Sequence, residues 1–152
     1  MYEQKIREIL GFDLPNAPKP IAAYVPANRI GDFIFTSGQL PIKNGKLIAE
    51  GKVGYEVGEE KAKECAQMCV VNCLSAIKSL IGDLDRIEQI VKLTVYVNSR
   101  IGYLEQPKIA NGASEFLINV FGEKGKHARS AVGVSDLPLN APVEIEMVVL
   151  VK

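Results

Sequence analysis

The sequence predicts an α+β fold in which a single β-sheet is covered on one face by two helices. Its 152 residues are enough for one domain that buries a core without metals or disulfides. Strand-like and helix-like patterns follow one another in the order strand, strand, helix, strand, helix, strand, strand. The last strand pattern has one wholly apolar side and one mixed side, which indicates that helices cover only one face of the sheet.

The amino-terminal residues predict an extension within this single 1–152 domain. A short amphipathic helix, with Ile6, Ile9 and Leu10 on its apolar side, precedes a loose stretch at 13–20 that contains three prolines. We therefore expect residues 1–20 to form a helix and a linker.

The remaining elements are predicted from periodicity and turn residues. Two strands are expected at 21–25 and 32–37, joined by a turn around Asn28 and Gly31, and the Asn-Gly pair within 43–46 is a hairpin signal. Apolar spacing then predicts a helix at 59–81, a strand at 86–98, a helix at 104–121, and strands at 129–134 and 143–151.

Three cysteines, Cys65, Cys69 and Cys73, recur every four residues within the 59–81 helix. This spacing places them on one helix face, which favours a buried stripe over a disulfide framework. A metal site is the alternative, but such sites usually have a Cys-x-x-Cys pair or a histidine partner. We therefore favour the core interpretation.

Charge and hydropathy exclude several classes of protein. Lys plus Arg equals Asp plus Glu, at 18 each, and the absence of a basic cluster argues against a nucleic-acid partner. The uninterrupted apolar runs are short and the first residues are charged, so we expect neither a membrane span nor a signal peptide. We expect a cytoplasmic protein.

The mixed side of the 143–151 strand requires a cover. It carries Val148 and Leu150, which are too apolar to remain exposed to water, beside Glu144 and Glu146. A second copy of the same chain is the simplest cover, because a self-complementary surface needs no other partner.

Several short motifs together resemble one known family. They are Tyr24, the FTSGQLP stretch at 35–41, the helical segment at 111–115, ARSAV at 128–132, and LP at 137–138 followed by VEIE at 143–146. Over residues 20–152 the chain resembles the Rid family, the YjgF-type reactive intermediate deaminases. The resemblance implies a chorismate-mutase-like fold assembled as a homotrimer, with three ligand sites in the clefts between subunits.

The resemblance also implies an activity that needs no cofactor. Family members of the archetypal branch deaminate enamines and imines such as 2-aminoacrylate, which gives a 2-oxo acid and ammonia. By similarity, Arg129 would hold the substrate carboxylate through two parallel hydrogen bonds. Glu144 would orient or deprotonate the attacking water.

Further substrate-binding positions follow from the same resemblance. Tyr24 would close the cleft, the backbone of Ser37 and Gly38 would line it, and Asn111 matches a polar position on the second helix. The chain departs from the archetype at Ala131, where the archetype has cysteine, and at His127, where it has proline. These departures and the amino-terminal extension place the chain in a divergent subgroup.

Each candidate also has a simpler structural interpretation. Arg129 could be a surface charge paired with a glutamate, Glu144 a partner of Arg129 or of a lysine, and Tyr24 a core aromatic. Ser37 has no histidine and carboxylate to activate it, so a turn role is favoured. His127, the sole histidine, is expected to have a structural or rim role.

Three functions remain open on the sequence. The first is the deaminase, and the second is a non-catalytic protein that binds a small carboxylate metabolite in the same clefts. The third is a ribonuclease or translation inhibitor, against which the zero net charge and the lack of clustered Lys or Arg with aromatic residues argue.

Overall fold

The computed structural model of the protein describes residues 1–17 and 23–152. Its helices are α1 (Tyr2–Leu10), α2 (Glu59–Ile81) and α3 (Gln106–Phe121). Its strands are β1 (Ala27–Ile30), β2 (Phe33–Thr36), β3 (Ile42–Lys43), β4 (Lys46–Leu47), β5 (Ile87–Asn98), β6 (Ala128–Val134) and β7 (Val143–Val151). The fold is α+β, as predicted.

Five strands form one sheet in the order β1-β2-β7-β5-β6. Neighbouring strands are antiparallel except β5 and β6, which are parallel because α3 carries the chain back between them. Strands β3 and β4 pair separately as the predicted hairpin, and its two turn residues, Asn44 and Gly45, both have positive φ, 53° and 79°. That backbone shape explains the Asn-Gly pair.

The prediction for the first strand is wrong in position. The expected strand at 21–25 falls partly on residues 21 and 22, which lie outside the described residues, and 23–25 are not in a strand. The strand is β1, closed onto β2 by a turn at Gly31, whose φ is 60°. Three of its four residues are exposed at the sheet edge, so they carry little hydrophobic signal.

Helix α2 forms the centre of the core. All three of its cysteines are buried and unpaired, and Sγ of Cys69 and Sγ of Cys73 lie 3.5 and 3.4 Å from backbone carbonyl oxygens of β7. The core interpretation of the cysteine stripe is confirmed. By length and composition α2 could cross a membrane, but 67% of its most apolar window is buried inside the protein.

The amino-terminal helix packs on the chain's own helical layer. Ile6 is fully buried, the ring of Tyr2 lies 4.5 Å from that of Phe121, and Lys78 pairs with Glu3 at 2.8 Å. Ile9, which was expected on the apolar side, is 43% exposed, because only the side of α1 that carries positions 2 and 6 meets α3.

The other face of the sheet is open, and its chemistry matches the prediction from β7. The odd residues of β7 are buried under the helices, whereas the even residues, Glu144 to Leu150, are only half-buried. The strand register places further apolar side chains on this open face, namely Ile30, Phe33, Phe35, Tyr96, Val132, Val148 and Leu150. We call this set the open-face patch.

Candidate functional site

Arg129 lies on the edge strand β6, on the face that the helices cover. Its partner in the parallel register is Leu93, which is buried beneath the helices. The guanidinium Nη1 donates to Oδ1 of Asn111 at 2.8 Å and to Oγ of Ser114 at 3.1 Å. One end of the guanidinium is therefore fixed by two side chains of α3.

The other guanidinium nitrogens have no anionic partner within the described part of the chain. Arg129 forms no ion pair within 4.0 Å among residues 1–17 and 23–152, although most other charged side chains there do. The side chain is half-buried and borders a pocket of about 230 Å³ with Ser114, Ile118, Lys126 and His127. The interpretation of Arg129 as a glutamate-paired surface charge is wrong within the described chain.

Close packing of α3 on α2 determines the position of Asn111 and Ser114, the two residues that hold Arg129. A side chain at Gly112 would overlap the backbone carbonyl of Lys63, so only glycine allows this approach of the two helices. Asn111 and Ser114 are three residues apart and therefore share one side of α3. That side faces the start of β6.

His127 completes the polar cluster around the guanidinium. Its Nδ1 lies 2.6 Å from the carbonyl oxygen of Gly125, and its Nε2 lies 2.9 Å from Oγ of Ser114. Burial lowers the pKa of His127, and the positive charge of Arg129 lowers it further. The structural role expected for His127 is consistent with these contacts, and Ser114 is a member of the cluster that the sequence analysis missed.

Glu144 lies on the open face of the sheet. It stands opposite Tyr96 in the register of β5 and β7, and its carboxylate packs against Gly38 so closely that any side chain there would overlap it. Burial raises the pKa of Glu144, and the charge of Glu146 raises it further. A half-buried carboxylate with a raised pKa is suited to accept a proton.

The loop between β2 and β3 lies beside Glu144, with Gly38 against its carboxylate. The hydroxyl of Ser37 donates to the carbonyl of Val25 at 2.6 Å, which supports its turn role and fixes the segment that carries Tyr24. The ring of Tyr24 is 58% exposed, so within this chain it is not a core aromatic. The backbone N–H groups of Gln39 and Ile145 each donate to the carbonyl oxygen of the other residue, and Ile145 directly follows Glu144.

Another polar pair lies beside Glu144 on the same face. The hydroxyl of Tyr96 donates to Glu146 at 2.9 Å, and this hydrogen bond raises the pKa of Tyr96. The sequence pattern indicated that both glutamates share a face, but their contact with Tyr96 depends on the pairing of β5 with β7. The contact between Tyr96 and Glu146 was therefore not predictable from the sequence alone.

The predicted residues thus form two groups in one chain. The Arg129 group, with Asn111, Ser114 and His127, lies on the helix-covered face at the edge of the sheet. The Glu144 group lies on the open face. Because the two side chains project from opposite faces, Glu144 is not the intramolecular partner of Arg129.

Comparisons with known proteins agree with this architecture. Residues 6–150 match the family described as "YjgF/chorismate_mutase-like, putative endoribonuclease". Protein TCP17 of Trypanosoma cruzi is 40% identical over 141 residues, which cover 92% of this chain and 88% of that protein. The crystal structure of protein Atu1372 from Agrobacterium tumefaciens has a TM-score of 0.90 and 40% identity, and it covers 99% of this chain and 91% of its own.

A relative with a named activity also aligns over nearly the full length. The 2-iminobutanoate/2-iminopropanoate deaminase of Dermatophagoides farinae is 29% identical over 140 residues, which cover 91% of this chain and 93% of that enzyme. The family match spans most of the chain, and the five-stranded sheet with its helical layer is the fold of that family. The chain belongs to the YjgF/Rid family.

Proposed function

We propose that the protein is a cofactor-free deaminase that hydrolyses small enamines and imines bearing a carboxylate, and releases a 2-oxo acid and ammonia. The observation that carries the proposal is the Arg129 guanidinium, fixed at one end by α3 and without an anionic partner in residues 1–17 and 23–152. A half-buried, preorganised cation of this kind is suited to bind a planar carboxylate with two hydrogen bonds.

A site between two copies of the chain is part of the proposal. In one chain Arg129 and Glu144 project from opposite faces of the sheet, so one small substrate reaches both only if a second copy supplies one of them. The open-face patch and the unpaired edge of β6 are the surfaces on which that copy would pack. The homotrimer implied by the family resemblance supplies three such clefts.

In the proposed reaction an enamine first tautomerises to the imine by gaining a proton at carbon and losing one from nitrogen. Water then adds to the imine carbon while Glu144 accepts a water proton and passes it to the imine nitrogen, which forms a neutral carbinolamine. Glu144 next moves the carbinolamine hydroxyl proton to the amine nitrogen, so the C–N bond breaks, the carbonyl forms and ammonia leaves; the net reaction is imine plus water to 2-oxo acid plus ammonia. The raised pKa of Glu144 suits a group that takes up a proton and then returns it.

The remaining residues shape the cleft in this proposal. Arg129 keeps the carboxylate in place, Asn111 holds Arg129, and the glycine at position 38 leaves room for the Glu144 carboxylate. Tyr24 closes the exposed side.

The experiment measures 2-oxo acid release from freshly generated 2-aminoacrylate. Arg129→Ala should lower kcat/KM by about 30-fold, since about 2 kcal/mol of charged hydrogen bonding to the carboxylate is lost. Arg129→Lys keeps the positive charge but loses the planar pair of donors. Its kcat/KM should therefore lie between those of the wild type and Arg129→Ala. The matched control is Arg7→Ala, because Arg7 is exposed on α1 and pairs only with Asp13.

The same measurement separates the rival functions. A wild-type protein that binds pyruvate but does not accelerate 2-oxo acid release would be the metabolite-binding protein. Full turnover by Arg129→Ala would reject the anchor role.

A further inference from the structure

A hydrogen-bond chain links Arg129 to the backbone through the side chains of Ser114 and His127. Arg129 Nη1 donates to Ser114 Oγ at 3.1 Å, Ser114 Oγ lies 2.9 Å from His127 Nε2, and His127 Nδ1 lies 2.6 Å from the Gly125 carbonyl oxygen. We call it the His127 relay. It starts at the carboxylate anchor and ends at a main-chain carbonyl.

The contact with the Gly125 carbonyl determines the tautomer of the neutral histidine. A carbonyl oxygen only accepts, so Nδ1 carries the proton and donates to Gly125. In the neutral ring Nε2 is then an acceptor, and it takes the hydroxyl proton of Ser114. The Ser114 oxygen consequently directs its lone pairs at the guanidinium, as the Arg129 contact requires.

The far end of the relay is rigid. A side chain at Gly125 would overlap the backbone carbonyl of Leu117 in α3, so the short 3-10 helix Gly122–Gly125 lies in direct contact with that helix. Gly125 itself is buried. The relay is therefore attached to α3 at two points, at Ser114 directly and at Gly125 through this packing.

We propose that His127 is a positioning residue for carboxylate binding, which orients the Ser114 hydroxyl so that Arg129 presents its free nitrogens to the substrate. The inference rests on the proposed function for the identity of the ligand. The His127 ring contacts the Ser114 hydroxyl, and Ser114 contacts the guanidinium. It acts through Ser114 on Arg129.

The test measures the Kd of pyruvate, a 2-oxo acid of the proposed product class, by titration calorimetry at pH 7.5. His127→Leu removes the acceptor at Nε2, whereas His127→Gln places an amide oxygen near that position and restores it. Burial lowers the pKa of His127, so pH 7.5 favours the neutral ring in the wild type, and leucine and glutamine are neutral as well. Lys124→Gln, which alters the same 3-10 helix outside the relay, is the control.

The relay predicts a specific pattern of affinities. His127→Leu should weaken pyruvate binding about fivefold, the size of one lost hydrogen bond. His127→Gln and Lys124→Gln should stay within about twofold of the wild type. Ser114→Ala should match His127→Leu, and the double variant should be no weaker than either, because the two residues act in series.

Several results would overturn the inference. They are wild-type affinity in His127→Leu, failure of His127→Gln to restore binding, additive losses in the double variant, or no pyruvate binding by the wild-type protein. If His127→Leu does not fold, Ser114→Ala and His127→Gln decide between the outcomes. A wild-type protein that binds pyruvate through the relay but turns over no imine would refute the proposed function and leave the inference standing.

Discussion

At the scale of residues, the central feature is a cation held by neutral groups. Asn111 and Ser114 accept from Arg129 without cancelling its charge, whereas a carboxylate in their place would compete with the substrate. The structure thus uses two side chains for orientation and leaves the charge available for a ligand. Ala131 in place of cysteine removes a thiol from the strand but leaves this arrangement intact.

Glu144 provides a prediction at the same scale. If it is the general base, Glu144→Gln should lower kcat about 100-fold or more, because the amide cannot accept the water proton. Since its pKa is raised, the wild-type rate should begin to fall at a higher pH than for an ordinary glutamate as the solution is acidified. The measurement is a pH profile of kcat/KM.

The neighbour of Glu144 offers a control for that profile. Glu146→Gln removes the charge that helps to raise the pKa of Glu144, so the acid limb should move to lower pH. The account is contradicted if the acid limb of the kcat/KM profile is unchanged in Glu146→Gln and is still present in Glu144→Gln. Another group would then be the one that titrates.

At the scale of elements, the packing of α3 on α2 determines where the anchor lies. Gly112 sits against the Lys63 backbone without room for a methyl group. Gly112→Ala should therefore force the helices apart and destabilise the protein by about 1 to 3 kcal/mol, although alanine is the better helix former. Thermal unfolding measures the loss, and weaker pyruvate binding should accompany it because Asn111 and Ser114 move with α3.

A matched substitution makes this prediction specific. Gly58, which precedes α2, has open space where a side chain would lie and a negative φ of −79°. Gly58→Ala should cost no more than about 0.5 to 1 kcal/mol, because alanine is a poorer N-cap than glycine but meets no neighbouring atom at this position. Equal stability of the two alanine variants would contradict the packing argument.

How well the sequence predicted each element depended on where that element is buried. The bounds of α2 and β7 agree with the prediction because both are buried along their length, so their apolar periodicity is continuous. Strand β1 was misplaced because its exposed edge residues lack such a pattern. The hairpin turn was predictable because Asn44 and Gly45 must adopt positive φ.

The site was less predictable than the core. Arg129, Asn111 and Glu144 were identified through short motifs, but their division between two faces depends on which side of the edge strand β6 meets α3. Alternation along a strand shows which residues share a face, but it does not show which of the two faces meets the helices. Ser114 had no signal of its own, since a serine within an apolar helix is informative only once its neighbours are known.

At the scale of the whole molecule, the open-face patch connects the fold to the proposed function. Its aromatic residues Phe33 and Phe35 are 43% and 47% exposed in the single chain, an arrangement that favours burial by another copy. The face that would bury them is also the face that carries Glu144. Assembly and completion of the site are therefore one event in this proposal.

Disruption of the patch should separate the copies. Phe35→Asp places a charge where about 2 kcal/mol of apolar burial per subunit is expected, so the protein should elute as a monomer and lose activity. Light scattering coupled to gel filtration measures the mass. Leu80→Asp is the matched control, because Leu80 is 46% exposed but lies on α2, away from the open face.

In this proposal, one chain alone has no complete site. A Phe35→Asp monomer that stays folded and retains wild-type turnover would show that Arg129 and Glu144 need not cooperate. A folded monomer without activity is the expected outcome.

The most direct measurement of the central claim is complementation between two impaired variants. Arg129→Ala and Glu144→Gln chains are co-expressed with different tags and purified by both tags; in the proposed trimer, one cleft of each mixed assembly pairs an intact Arg129 with an intact Glu144 from different chains. The account predicts activity of about a third of the wild type in this fraction, far above that of either variant alone. Mixed assemblies no more active than their parents would contradict it.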